Sequence, residues 1–126
     1  MKKYDLEDRT LGFAKEVIRL VNKVSKTLPN VEIARQLVRS SGSVGANYIE
    51  ANESLGEKDF AMRIKICRKE AKESRYWLQL LESTPDLSDS QAHLIQESTE
   101  LMKIFGAILE EVKQRQQPNN NLSLLF

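Results

Sequence analysis

Residues 60–81 read FAMRIKICRKEAKESRYWLQLL, and this stretch indicates the fold of the chain more clearly than any other. Apolar or small side chains recur in it at alternating intervals of four and three residues. These positions are Phe60, Ile64, Cys67, Ala71, Ser74, Leu78 and Leu81. This heptad spacing places all of them along one side of an α-helix. The stretch therefore predicts a long amphipathic helix that packs against other helices.

Turn-forming residues divide the chain into four segments of similar length. Pro, Gly, Asn and Ser cluster at residues 28–30, 54–56, 83–86 and 117–118, where helices are expected to stop. The other three segments repeat the same spacing, with Phe13, Val17, Leu20, Val24 and Leu28 in the first, Ala34, Leu37, Ser41, Val44 and Tyr48 in the second, and Leu94, Ser98, Leu101, Phe105, Ile108 and Val112 in the fourth. The pattern predicts an all-α, antiparallel up-down-up-down four-helix bundle over residues 1–116. Residues 117–126 are expected to form a tail that is either flexible or docked on a neighbouring molecule.

Short polar residues mark the expected helix starts. Asn30 precedes the second segment and Ser88 precedes the fourth, and an N-cap favours such side chains. Asp89 adds negative charge in the first turn of the fourth helix, where the helix dipole favours it. We therefore predict N-caps at Asn30 and Ser88.

The third and fourth segments carry more apolar side chains than one seam requires. The additional residues are Ile66, Tyr76, Trp77, Leu80, Ile95, Met102 and Leu109. A helix that is apolar on two sides must bury both, which favours self-association with closed symmetry. The alternative is a wide core with an ordinary exposed fringe. Under either interpretation, Tyr76 and Trp77 are expected in a core or a subunit contact rather than as a stacking platform.

Composition excludes several classes of protein. The chain has 126 residues, of which 40% are hydrophobic and 29% charged, with one Cys and one His. An internal disulfide and a zinc site built on Cys and His are therefore excluded, and so is a di-iron centre, because Glu-x-x-His does not occur. No apolar run approaches the length of a membrane span. We expect a cytoplasmic protein that has no cofactor and no contact with a membrane.

Residues 39–47 read RSSGSVGAN and contain two glycines three residues apart. A phosphate-binding loop would need a Gly-Lys-Ser/Thr ending and a preceding strand, and both are missing from the pattern. A glycine inside a helix costs roughly 1 kcal/mol relative to alanine, so a packing reason is expected. We predict that Ser41, Gly45 and Ala46 lie on one helix face and let a neighbouring helix approach closely.

Five stretches together resemble one known family. They are residues 4–14, 36–51, 58–60, 69–74 and 76–78. The combination resembles the four-helix-bundle protein family of 23S ribosomal RNA intervening sequences, over about residues 4–113. The resemblance implies a left-handed bundle that assembles into a homo-oligomeric ring, with a pentamer as the expected size. It also implies kinship with the accessory variability proteins of diversity-generating retroelements, which are pentameric bundles that bind nucleic acid and a reverse transcriptase.

Charge is unevenly distributed although the formal net charge is only +1. Residues 57–83 carry a net +2, whereas residues 84–126 carry −3. Basic side chains recur on the third helix at intervals of three and four residues, which places them along one side as a cationic ridge: Lys65, Arg68, Lys69, Lys72 and Arg75. Arg35 and Arg39 on the second helix could add guanidinium contacts to phosphate. The alternative is a solvated face, because Glu70 and Glu73 alternate with the lysines.

Two pairs of carboxylates suggest a further alternative. Glu50 and Glu53, and also Glu70 and Glu73, are three residues apart, so each pair projects from one helix face towards a position that could hold Mg²⁺. All-α nucleotide pyrophosphatases use a comparable pairing, but no second metal-site motif accompanies it here. Glu70 could instead pair with a basic residue across a helix interface. From the basic helix faces we predict a non-enzymatic oligomeric scaffold that binds RNA or DNA, and the family resemblance implies that it is accessory to a processing protein such as a reverse transcriptase. A purely structural or protein-binding assembly is the alternative, and a nucleotide pyrophosphatase is a lower one.

Overall fold

The computed structural model describes residues 3–116. These residues form four long helices. The helices are α1 (Lys3–Lys23), α2 (Leu28–Asn52), α3 (Glu57–Leu80) and α4 (Ser88–Arg115), with a single 3-10 turn at Pro85–Leu87 before α4. No strand occurs in the described part of the chain. None of the described helices is long and apolar enough to cross a membrane. The predicted all-α four-helix fold is confirmed, and the predictions for residues 117–126 lie outside the described residues.

The helices close into a bundle in chain order. Each helix packs against the one before it and the one after it, and α1 also packs against α4. Contacts between α1 and α4 show their relative direction. Arg9 pairs with Glu97, whereas the later Glu16 pairs with the earlier His93, so the two helices are antiparallel. The arrangement is the predicted up-down-up-down one.

The heptad positions form the core of the bundle. On α3, six of the seven predicted side chains are buried, and Phe60 is half-buried. The first segment needs two corrections. Leu28 is 78% exposed because α1 ends at Lys23 and Leu28 already belongs to α2. The inner row of α1 instead extends towards the N-terminus through Leu6 and Thr10, both buried, which continue the four-three spacing.

The predicted N-cap at Asn30 is wrong, because α2 begins one turn earlier. Thr27 is the N-cap, and its hydroxyl accepts a hydrogen bond from the Asn30 backbone N–H at 3.2 Å. The Asn30 side chain is buried and serves another purpose. Its Nδ2 donates to the carbonyls of Ser25 and Glu82, both at 2.9 Å, and its Oδ1 accepts from the Glu82 N–H at 3.0 Å. Asn30 therefore joins the α1–α2 turn to the end of α3.

The predicted N-cap at Ser88 is also wrong. The 3-10 turn Pro85–Leu87 leads directly into α4, and Leu87 occupies the cap position without a side-chain hydrogen bond. The Ser88 hydroxyl donates to the Pro85 carbonyl at 2.8 Å instead of accepting from the first turn of α4. A tight turn immediately before the helix thus replaces a side-chain cap.

Residues 39–47 lie inside α2, and the predicted close packing is confirmed at Gly45. A Cβ atom placed at Gly45 would lie 2.9 Å from Oγ1 of Thr10 on α1, which is closer than real contacts allow. Thr10 has little freedom to move, because it is buried and its hydroxyl lies 2.9 Å from the Leu6 carbonyl. Ala46 was expected on the same face but is exposed. Gly42 has no other atom within 4 Å of such a Cβ.

Substituting the two glycines separately tests this close approach. We expect Gly45→Ala to lower the free energy of unfolding by about 1 kcal/mol, because overpacking costs about 1–3 kcal/mol and exceeds the gain in helix propensity. Gly42→Ala is the matched control and is expected to raise it by about 0.5–1 kcal/mol. Urea denaturation of both variants measures the difference. Equal stabilisation by the two substitutions would contradict the close α1–α2 contact.

Candidate functional site

Four basic side chains on α3 line one shallow groove. Lys65, Arg68, Lys69 and Lys72, together with Met102 of α4, surround a volume of about 450 Å³. All four cations are exposed. Their spacing of three and four residues along α3 brings them to one side of the helix. We call these five residues the basic groove.

Arg68 crosses from α3 to α4 at a glycine. A methyl group added at Gly106 of α4 would lie 3.9 Å from Nη1 and 4.0 Å from Cδ of Arg68. These are ordinary van der Waals distances, so Arg68 lies next to Gly106 on α4 but does not require a glycine there. No sequence pattern marks Gly106 as a neighbour of Arg68, because a lone glycine in a helix does not indicate which side chain passes over it.

Arg39 lies outside the basic groove, in an ion pair between α2 and α3. Its Nη1 donates to Oε2 of Glu70 at 3.2 Å, and its Nη2 donates to Oε2 of Glu73. The hydrogen bond to Glu73 is the main reason that the pKa of the Arg39 guanidinium is raised. Both terminal nitrogens of Arg39 are thus engaged with carboxylates of its own chain.

The acidic and basic residues that alternate along α3 lie in different surroundings. Glu70 and Glu73 are paired with Arg39, whereas Lys69 and Lys72 line the groove. Adjacent residues in a helix point about 100° apart, so Lys69 and Glu70 need not share a face. Glu70 is buried and Glu73 is half-buried against α2, whereas Lys69 and Lys72 are exposed at the basic groove. Glu70 therefore faces away from the groove, whereas Glu73, one turn after Lys69, lies at its edge. Both carboxylates are paired with Arg39, and neither of them lines the groove.

A buried polar layer lies beneath the ion pair. The Ser74 hydroxyl of α3 is 2.9 Å from the Ser40 hydroxyl of α2 and 2.9 Å from the Glu70 carbonyl oxygen. Both serines are fully buried. Burial raises the pKa of the Glu70 carboxyl, the nearby charge of Arg39 lowers it, and the charge of Glu73 raises it, with a net upward shift. Small polar side chains at this level allow α2 and α3 to approach closely.

The remaining predicted basic residues are placed apart from the groove. Arg35 is exposed on α2, one turn before Arg39, and it does not line the groove. Arg75 is half-buried, and its buried Nε has no hydrogen-bond partner in the described part of the chain. The structure thus brings together four of the seven predicted cations.

The two aromatic residues at the end of α3 differ in exposure. Trp77 is half-buried, whereas Tyr76 is 56% exposed. Their ring centroids are 5.1 Å apart with an interplanar angle of 72°, which is an edge-on contact. Tyr76 therefore does not lie in the core of the chain, and the alternative expectation of a subunit contact stays a prediction. Tyr76 follows Lys72 by four residues, and this spacing could have indicated a shared face.

The carboxylate pairs do not converge on a metal site. Glu50 and Glu53 are exposed at the end of α2, whereas Glu70 and Glu73 are paired with Arg39. Across residues 3–116, no group of three or more His, Cys, Asp or Glu side chains could hold a metal ion. The arrangement therefore gives no support to the pyrophosphatase alternative.

The lone cysteine and histidine are also placed apart from the basic groove. Cys67 is fully buried in the core, and burial raises the pKa of its thiol to about 12. Such a thiol stays protonated near neutral pH and is a poor nucleophile. His93 is exposed on α4, and its Nε2 lies 3.5 Å from Oε2 of Glu16.

The raised pKa of Glu70 predicts a pH-dependent contribution to stability. The folded chain holds the carboxyl proton of Glu70 more tightly than the unfolded chain does. The stability that this proton contributes is therefore lost as the pH rises above the ordinary pKa of 4.5 and through the raised value. Glu70→Gln has no such proton to lose. We expect its free energy of unfolding, relative to wild type, to increase between about pH 4 and about pH 7, as measured by urea denaturation. A constant difference over this range would contradict the assignment.

Comparisons with known proteins agree with the resemblance that the sequence motifs indicated. The chain matches the family described as 23S rRNA-intervening sequence protein over residues 2–107. It is also similar to a crystal structure of a protein with unknown function from the S23 ribosomal protein family of Bacteroides thetaiotaomicron VPI-5482. The two are 31% identical with a TM-score of 0.71, and the match covers 87% of this chain and 99% of that one. Comparison with curated proteins finds no match. On the extent of the family match, this chain belongs to the 23S rRNA-intervening sequence protein family.

Proposed function

We propose that this chain is a non-catalytic nucleic-acid-binding protein whose basic groove holds backbone phosphates. The observation that carries the proposal is the grouping of four exposed cations in one groove, while the nearest carboxylates of α3 are paired with Arg39. Lysine and arginine side chains neutralise phosphates and release counterions from the nucleic acid. Such contacts fix a nucleic acid on the protein without reading its sequence, so the groove suits either RNA or DNA.

The proposal includes assembly into a homo-oligomeric ring. Leu11 and Ile18 are exposed on α1 and are seven residues apart, so they share a face. Val38 and Ile49 are exposed on α2. They lie seven residues before and four residues after Gly45, the residue closest to Thr10 of α1, so both are on the side of α2 that is next to α1. An apolar face of this kind favours contact with a second copy of the chain. The family resemblance suggests a pentamer.

A ring would strengthen binding to nucleic acid. Each copy would add one basic groove, and repeated grooves sum to a band of positive potential that attracts a polyanion. Once one groove has bound a strand, the grooves of the other subunits would meet the same strand at a high effective concentration. A processing protein such as a reverse transcriptase, which the resemblance implies as a partner, would then meet nucleic acid already held on the ring.

A protein-binding assembly without nucleic acid is the second candidate function. The observation that favours it is the same apolar face on α1 and α2, because a partner protein could cover those side chains in place of a second copy. Under this alternative, the basic groove would be an ordinary solvated surface. Binding measurements separate the two candidates.

Charge reversal in the basic groove tests the proposal. We expect fluorescence anisotropy with labelled structured RNA and duplex DNA to show binding that weakens steeply between about 50 mM and about 200 mM salt. The variant Lys65→Glu/Arg68→Glu/Lys72→Glu is expected to lose at least about tenfold in affinity and to reduce the salt slope by about one for each phosphate contact removed.

A matched variant controls for total charge. Arg19→Glu/Lys23→Glu/Lys26→Glu changes the net charge equally, but at exposed positions of α1 and of the turn that follows it. Its affinity is expected to stay within about threefold of wild type, because long-range effects of these charges are screened by salt. Equal losses in both variants, or no binding at low salt, would contradict the proposal.

A further inference from the structure

We propose that Tyr76 is a base-stacking residue and that the ligand of the basic groove is nucleic acid with unpaired bases. This inference rests on the proposed function and narrows its substrate class. The observations behind it are the exposure of Tyr76, its position on the same face as two lysines of the groove, and its contact with Trp77.

Tyr76 continues the basic groove along α3. It follows Lys72 by four residues and Lys69 by seven, and side chains at these intervals lie above one another on a helix. Two turns of helix, about 10.5 Å, separate Lys69 from Tyr76 along the axis. A strand whose phosphates contact the lysines would therefore carry a base to the tyrosine ring.

The Tyr76 ring already contacts an aromatic neighbour before any ligand binds. Trp77 is half-buried and meets Tyr76 edge-on, with 5.1 Å between the ring centroids. As a whole residue, Tyr76 is still more than half exposed. A ring that is already oriented loses less conformational entropy when a base stacks on it.

Charges near the ring suit a phosphate chain. The charged residues within one turn before Tyr76 are Lys72, Glu73 and Arg75. Of these, Glu73 is the only carboxylate, and it is paired with Arg39. A phosphate next to the stacked base would therefore meet Lys72 rather than an unpaired carboxylate.

The combination favours unpaired bases over a duplex and over an apolar protein surface. In a duplex the bases are stacked on one another, and their faces are closed to a tyrosine ring. A positive groove with an exposed aromatic side chain is the arrangement with which proteins bind single strands and loops. Leu80, one turn further on, is also exposed, but the four cations of the basic groove precede Tyr76 on the same helix, and a polyanion matches them better than an apolar partner does.

Single-stranded and duplex oligonucleotides of equal length test the inference by fluorescence anisotropy on the full-length protein. We expect Tyr76→Ala to weaken binding of a labelled single-stranded oligouridylate by about tenfold, within the range found for loss of one stacked base. Binding of the duplex is expected to change by less than about twofold. Tyr76→Phe keeps the ring and should lose less than Tyr76→Ala. Leu80→Ala is the matched control for loss of an exposed apolar side chain on the same face.

Proton NMR gives a second readout that a purely structural role would not produce. The chain has three tyrosines, which simplifies assignment of the Tyr76 ring protons. Stacking of a base on the ring is expected to move these resonances upfield when the single strand is added, and a duplex should not move them.

Three outcomes separate this inference from the proposed function. If Tyr76→Ala binds the single strand as well as wild type, while charge reversal at Lys65, Arg68 and Lys72 abolishes binding, the stacking inference fails and the proposed function stands. If charge reversal changes no binding, both fail. If Tyr76→Ala only reduces the assembly size in sedimentation, Tyr76 is a subunit contact and the stacking inference is overturned.

Discussion

The charge distribution on this bundle follows from the close packing of α2 against both of its neighbours. On one side, Gly45 leaves no room for a Cβ atom beside Thr10 of α1. On the other side, the hydroxyls of Ser40 and Ser74 meet at 2.9 Å between α2 and α3. Because the side chains at these contacts are small, the helices approach closely, and Arg39, next to Ser40, reaches the carboxylates of α3.

This approach determines the charge of the outer surface of α3. Burial of Glu70 penalises its ionised form, so the ion pair with Arg39 is a weak source of stability. Its larger consequence is electrostatic. Glu70 and Glu73 turn towards α2, and the cations that alternate with them in sequence are left together at the basic groove. A helix whose sequence mixes signs thus presents one predominantly positive face, with Tyr76 at its end.

Sequence patterns predicted the fold well and the site in part. Heptad spacing identified the helices and nearly all of the core because burial of apolar side chains follows the helical period. The role of Asn30 could not be predicted, because its side chain binds the backbone of Glu82, 52 residues away, instead of capping its own helix. Four cations of the groove followed from spacing along α3. The pairing of Arg39 with carboxylates of α3 did not follow from spacing, because it depends on which neighbouring helix Glu70 faces.

We infer that Arg39 keeps the groove positive by holding Glu70 and Glu73. The direct test is the affinity for a labelled RNA hairpin, measured for wild type and for three variants. The variants are Arg39→Met, Arg39→Met/Glu70→Gln/Glu73→Gln and the charge-matched Arg39→Met/Glu110→Gln/Glu111→Gln. Arg39→Met is expected to bind more weakly, because it leaves two carboxylates unpaired near the groove. Removing those carboxylates should restore the affinity to within about twofold of wild type, and the charge-matched variant should stay weak. Equally weak binding by all three variants would contradict the claim and make Arg39 itself a phosphate contact.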